Sequence, residues 1–256
     1  MKKKNEKRIE VKNVSKKFSA DFRKREGALF NVINSLSGRS LKKEIEILKD
    51  ISFDLYSGEI LGVIGKNGSG KSTLLRLIAG VYEADSGKIE TNGKILYLTG
   101  FGQGSAPKLT MRENIYLMGS VMGLGQRDIK KRFNEIIEFS GLKDFVDMKV
   151  YQFSTGMISR LNFSVIIHCL KHQNPEILLL DEVLSAGGDF EFQEKATNKM
   201  EELIKGGASV ILVSHDLNTI KKYCNKTLFL DNGKIVETGD SESVIKTYLN
   251  SFNSIK

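Results

Sequence analysis

The segment Gly65-Lys66-Asn67-Gly68-Ser69-Gly70-Lys71-Ser72 constrains this chain more than any other, because its setting is as informative as its letters. It follows the apolar run Glu59-Ile60-Leu61-Gly62-Val63-Ile64 and precedes Leu74, Leu75, Leu77 and Ile78, which recur at helical spacing. A strand, a glycine loop and a helix in that order build a phosphate cradle. The glycines let successive backbone N–H groups close around an anion, and the helix N-terminus adds partial positive charge. Lys71 is placed to reach the β- and γ-phosphates of a nucleoside triphosphate, and Ser72 to offer its hydroxyl to Mg²⁺. The candidate binding set is Gly65, Asn67, Gly68, Ser69, Gly70, Lys71, Ser72 and Thr73.

A second element complements it. Ile177-Leu178-Leu179-Leu180-Asp181-Glu182 puts two carboxylates at the end of a buried apolar strand, where a sheet of this kind opens onto its nucleotide crevice. Asp181 is suited to hold Mg²⁺, through water, and Glu182 to polarise the attacking water. An acidic pair ending a strand is by itself often a solvated terminus; the glycine loop upstream is what turns it into a candidate site.

The rest of the chain alternates short β-type runs with helical patterns. Ile9-Glu10-Val11, Lys94-Ile95-Leu96-Tyr97-Leu98 and Val210-Ile211-Leu212-Val213 read as further strands. The later runs are apolar on both parities, as in parallel strands covered by helices on both faces. Ile129, Phe133, Ile136 and Ile137 mark a helix closed by a C-cap glycine, Gly141, and Thr227 to Glu237 reads as two strands joined by the Asn232-Gly233 turn. No repeat of domain size is present, so one cassette is expected.

At 256 residues, with 40% hydrophobic and 27% charged residues and two prolines, the chain can bury a sizeable core. It contains no apolar stretch of the ~20 residues a membrane span needs, and its N-terminus Met1-Lys2-Lys3-Lys4 is charged, which predicts a cytosolic chain. Cys169 and Cys224 lack metal-site spacing and are expected to be core thiols. The net charge of +8 is densest over Lys2 to Lys17, without the interleaved aromatics of a single-strand binder. A solvated basic face and proximity to an anionic membrane surface both account for it.

Between the two acidic and glycine elements lies Phe153-Ser154-Thr155-Gly156-Met157, leading into a helical run with Leu161, Phe163, Val165 and Ile166. In form and position this resembles the signature loop of ABC ATPases. The resemblance implies an α/β P-loop NTPase with a RecA-like core. An N-terminal antiparallel β subdomain would complete that core (about residues 1–100 and 160–256), and a glutamine-loop and helical subdomain would span about 101–159. It implies ATP and Mg²⁺ as ligands and a homodimer in which Ser154, Thr155 and Gly156 contact the γ-phosphate held by the partner's glycine loop. The family's usual glycine and glutamine are replaced here by Thr155 and Met157, leaving Ser154 and Gly156 in place. By the same resemblance His215, in Val213-Ser214-His215-Asp216, is the switch histidine that joins Glu182 in catalysis, and Phe18 stacks on adenine. Gln103 is the only glutamine available for the metal-contacting loop. Either Gly188 or Asp189 stands where the family has an aspartate linking the two sites.

The likeness can be narrowed. An insertion from Asp21 to Ile47, the run Leu109 to Leu117, the methionine of the signature and Asp181-Glu182-Val183-Leu184-Ser185 resemble the ATP-binding subunits of bacterial O-antigen, teichoic-acid and capsule exporters. That implies lipid-linked polysaccharide as cargo, two copies of a separate transmembrane permease, a peripheral location on the cytoplasmic face of the membrane, and no nucleic-acid partner. Glycan end-recognition is expected to lie outside this chain. Another exported cargo, such as a drug, lipid or small solute, is the alternative, and a soluble ATP switch acting on nucleic acid a more distant one.

Overall fold

The computed structural model describes residues 6–20, 43–99, 104–170, 174–183 and 189–253. Two long strands, β1 (Lys7–Ala20) and β2 (Lys43–Tyr56), pair antiparallel, and β4 (Ser86–Thr91) joins β1 on its other edge to complete a three-stranded sheet. The last five residues of the predicted insertion belong to β2: Ile45 pairs with Phe18 and Lys43 with Ala20. A six-stranded sheet has the order β5-β6-β7-β3-β8-β9, built from β3 (Ile60–Ile64), β5 (Ile95–Thr99), β6 (Ile177–Asp181), β7 (Ser209–Val213), β8 (Lys226–Asp231) and β9 (Lys234–Asp240). Its first five members run parallel and β9 is antiparallel to β8.

Side chains alternate across a strand with period two, and here that alternation sorts the core into two layers. Ile177, Leu179, Ile211, Val213, Leu61, Val63, Leu228 and Leu230 face α1 (Lys71–Ile78) and the apolar side of the small sheet, where Ile9, Val14, Ile51 and Leu55 are buried. Leu178, Leu180, Val210, Leu212 and Phe229 face the opposite layer. There they meet α4 (Thr155–Leu170), α5 (Phe190–Ile204), α6 (Leu217–Tyr223) and α7 (Ser241–Asn253). Both faces of β6 and β7 are therefore covered, which is why their sequences are apolar without alternation.

A third cluster gathers α2 (Met111–Val121), α3 (Gln126–Ser140) and one side of α4. Thr110 caps α2 in a reciprocal capping box with Glu113, and Gly141 ends α3 in the left-handed conformation at φ 65°. α4 serves both clusters: Phe163, Ile167 and Leu170 face the large sheet, and Leu161, Val165 and Cys169 face the helical lobe. Burial on two sides is tolerated because the polar Ser164 and His168 bond to the carbonyls of Arg160 and Ser164, one turn earlier in the helix. The predicted hairpin is present, with Asn232 and Gly233 both at positive φ, as a two-residue turn between twisted strands needs. Both thiols are buried, Cys169 in the lobe cluster and Cys224 against the large sheet, and burial pushes them up to about 11 and about 12 respectively.

Candidate active site

The glycine loop joins β3 to α1 as expected, and its conformation explains its composition. Gly65 and Gly70 adopt φ of 154° and 110°. A Cβ on Gly65 would lie 2.1 Å from the Leu230 carbonyl, and one on Gly70 2.6 Å from Leu48 Cδ2. The loop is thus wedged against β8 and β2, and only a residue without a side chain fits. Lys71 opens α1 and folds back over the loop, its Nζ donating to the carbonyls of Gly65 and Lys66 at 2.8 and 2.9 Å. Burial lowers the pKa of this ammonium, while the carboxylates of Glu182 and Asp181 act in the opposite direction. Ser69 Oγ is buried beside it without a hydrogen-bond partner among the described residues, a polar atom that a bound phosphate would satisfy.

The acidic strand end lies against this loop. Asp181 is buried, at 7% exposure, and its Oδ1 accepts from Ser72 Oγ at 3.1 Å while Oδ2 accepts from the Tyr97 hydroxyl at 3.3 Å. A hydroxyl and a carboxylate beside a phosphate cradle are hard oxygen donors of the kind Mg²⁺ takes. Among the described residues there is no cluster of three acidic or metal-binding side chains, so a divalent ion here would complete its shell with water and phosphate oxygens, as Mg²⁺ does. At Glu182 the chain turns out of the strand with φ 57°, a conformation few non-glycine residues adopt and one that clusters at functional sites. Its N–H donates to the Val213 carbonyl, and its Oε1 lies 2.7 Å from His215 Nε2. The parallel register that puts Asp181 opposite Val213 brings these two side chains together, although 33 positions separate them in sequence (182 to 215).

A cleft of about 420 Å³ runs from this corner across the loop to Phe18. Phe18 is 37% exposed and meets Tyr82 edge-on at 5.4 Å, while the Arg76 guanidinium lies 6.0 Å from the Tyr82 ring centre. Phe18, Asn67, Gly68, Gly70, Lys71, Ser72 and Thr73 of the predicted set line the cleft, together with Glu182 and His215. Tyr82 and Arg76 line it as well and were not anticipated. Nothing in their local sequence marks them: Tyr82 lies past the end of α1, and Arg76 looks like any basic residue in a last helical turn.

Ser154, Thr155 and Gly156 lie elsewhere. They border a separate shallow depression that shares no lining residue with the cleft. Ser154 Oγ accepts from the Met157 N–H at 3.2 Å and so caps α4, and the Met157 side chain packs against the lobe cluster. The unusual methionine is therefore half-buried, packing on the lobe while still bordering the depression that Ser154 and Gly156 share. Asp189 caps α5 through the Phe192 N–H and pairs with Arg160 at 2.9 Å. Both of its carboxylate oxygens are thus engaged within the chain. Gly188 and Gln103 lie outside the described residues.

Comparison with known proteins agrees with this geometry. A family model described as ABC transporter matches residues 48–185. The chain is 36% identical over 240 residues to the ABC transporter protein AbcA of Aeromonas salmonicida, covering 94% of this chain and 75% of that protein. It is 38% identical over 201 residues to the O-antigen export system ATP-binding protein RfbB of Klebsiella pneumoniae, covering 78% and 80%. The teichoic acids export ATP-binding protein TagH of Lactococcus lactis is 40% identical over 220 residues, 85% of this chain and 46% of that protein. Among solved structures, an ATP-binding subunit of an ABC transporter superposes with a TM-score of 0.68 at 23% identity, covering 94% and 93%. A dimeric post-hydrolysis state of an ATP-binding cassette bound to ADP and Pi gives 0.66 at 22%, covering 91% and 98%.

Proposed function

The chain belongs to the ABC transporter family, and from that membership we propose that it is the ATP-hydrolysing subunit of an exporter of lipid-linked polysaccharide. The observation that carries the ATPase reading is the meeting of Lys71, Ser72, Asp181, Glu182 and His215 at one corner of the large sheet. Lys71, already pointed across the loop, would transfer its hydrogen bonds from the Gly65 and Lys66 carbonyls to the β- and γ-phosphates. The loop amides and Thr73 would hold the same phosphates, and the Phe18 ring, with Tyr82 beside it, would receive the base. Glu182 would take a proton from the attacking water, and His215, in contact with that carboxylate, would hold it toward the γ-phosphate. Ser72 and Asp181 would hold Mg²⁺, which supplies charge neutralisation on the phosphate oxygens.

Ser154, Thr155 and Gly156 would complete the site from a second copy of the chain, a division of labour favoured by their lying outside the cleft of their own subunit. The helical lobe, about residues 101–159, would be the unit that receives the membrane partner, and the remainder the nucleotide-binding core. Among the described residues no helix is long and apolar enough to cross a membrane. The O-antigen and teichoic-acid export relatives support polysaccharide as cargo and a membrane permease as partner, which we take to be present in two copies with this chain on the cytoplasmic face. Detergent extraction with an affinity handle on this chain is expected to recover an integral membrane subunit, and deletion to leave lipid-linked glycan on the cytoplasmic side. Normal glycan export in the deletion strain, with the extracted partner exporting another solute, would refute the cargo assignment and leave the ATPase standing.

A further inference from the structure

Both oxygens of Asp181 have protein donors, and only one of the donors belongs to a sequence motif. Ser72 of the glycine loop engages Oδ1; Tyr97, on β5, engages Oδ2. The register of β5 on β6 sets Tyr97 opposite Leu179 and Thr99 opposite Asp181, so period-two alternation turns Tyr97 to the same face as Asp181, one step along the neighbouring strand. Tyr97 is half-buried and packs against the core layer on the α1 side.

We propose that Tyr97 is a positioning residue that ties Asp181 Oδ2 and so presents Oδ1, beside Ser72, to the divalent cation. The proposal rests on the reading of Asp181 as a metal-holding carboxylate. A carboxylate with one oxygen restrained cannot rotate freely or swing to bidentate binding, and the outer partner of a metal-ligating group is worth ~10- to 100-fold in metal affinity. A tyrosine at this point of β5 is also an ordinary core-edge residue, so a readout that packing alone would not move is required.

Mn²⁺ titration of the full chain in complex with ADP, followed by electron paramagnetic resonance, provides it. Tyr97→Phe keeps the ring and removes the hydroxyl. Mn²⁺ affinity is expected to fall on the order of 10-fold, while metal-free ADP affinity and the metal-free thermal midpoint stay at the wild-type values. If Tyr97→Phe binds Mn²⁺ like wild type while Asp181→Asn loses it, the positioning role is wrong and the metal reading stands. If Asp181→Asn itself binds Mn²⁺ like wild type, the metal reading fails and the proposal goes with it. A parallel drop in thermal midpoint and metal-free ADP affinity in Tyr97→Phe would overturn the proposal in favour of a packing role.

Discussion

At the scale of single residues, Lys71 shows how a charge is held inside a glycine loop. A buried ammonium is unfavourable unless hydrogen-bonded, and the two loop carbonyls meet that need at 2.8 and 2.9 Å. Its neighbours Asp181 and Glu182 supply opposite charge, yet burial dominates and the pKa is lowered. Replacing Lys71 by alanine removes two charge-assisted hydrogen bonds to phosphate, and MgATP affinity is expected to fall by at least ~100-fold. Isothermal titration with MgATP reads this directly, and undiminished affinity would remove the phosphate-loop assignment. Asp189 combines two roles: it caps α5 and pairs with Arg160, while its side chain stays exposed at the edge of the Ser154 depression, where it can still face a neighbouring subunit.

At the scale of elements, the parts legible in the sequence are those whose chemistry is local. The loop and its flanking strand and helix, the acidic end of β6, the Gly141 cap and the Asn232-Gly233 turn each depend on residues within one short window. What escaped is assembled by register. Tyr97 reaches Asp181 only because β5 pairs with β6; Glu182 and His215, both expected at the site, owe their contact to the pairing of β6 with β7. Tyr82 and Arg76 enter the cleft from the far end of α1, where neither spacing nor residue type distinguishes them. The wedge at Gly65 is another such case, since its contact with Leu230 comes from β8, far along the chain. Gly65→Ala must therefore displace either the loop or β8, and it is expected to cost about 2–3 kcal/mol of stability. Urea unfolding would check this, with nucleotide affinity lost alongside; a variant as stable as wild type would mean that the loop can move without disturbing the sheet.

At the scale of the whole molecule, one chain presents two separate concavities. The cleft is lined by Lys71, Ser72 and Glu182, with Asp181 hydrogen-bonded to Ser72, and the Ser154 depression stands apart from it with its own lining. If two copies face each other, each Ser154 loop can lie over the other's cleft, and ATP becomes the adhesive between them. Glu182→Gln separates binding from hydrolysis in that arrangement. Glutamine preserves size but cannot accept the proton of the attacking water, so turnover is expected to drop by ~10²–10⁴-fold. Lys71, Ser72 and Asp181 are untouched, and ATP binding should persist. Gel filtration in MgATP should then show a lasting dimer for Glu182→Gln, whereas wild type returns to monomer as ATP is consumed. Adding Ser154→Arg to the same variant should leave nucleotide binding within about twofold, because an exposed surface change away from the cleft alters little, yet abolish the dimer by blocking the shared phosphate. A Glu182→Gln chain that binds ATP and stays monomeric would show that the two half-sites are not joined by nucleotide. One that turns over like wild type would take the role of base away from Glu182.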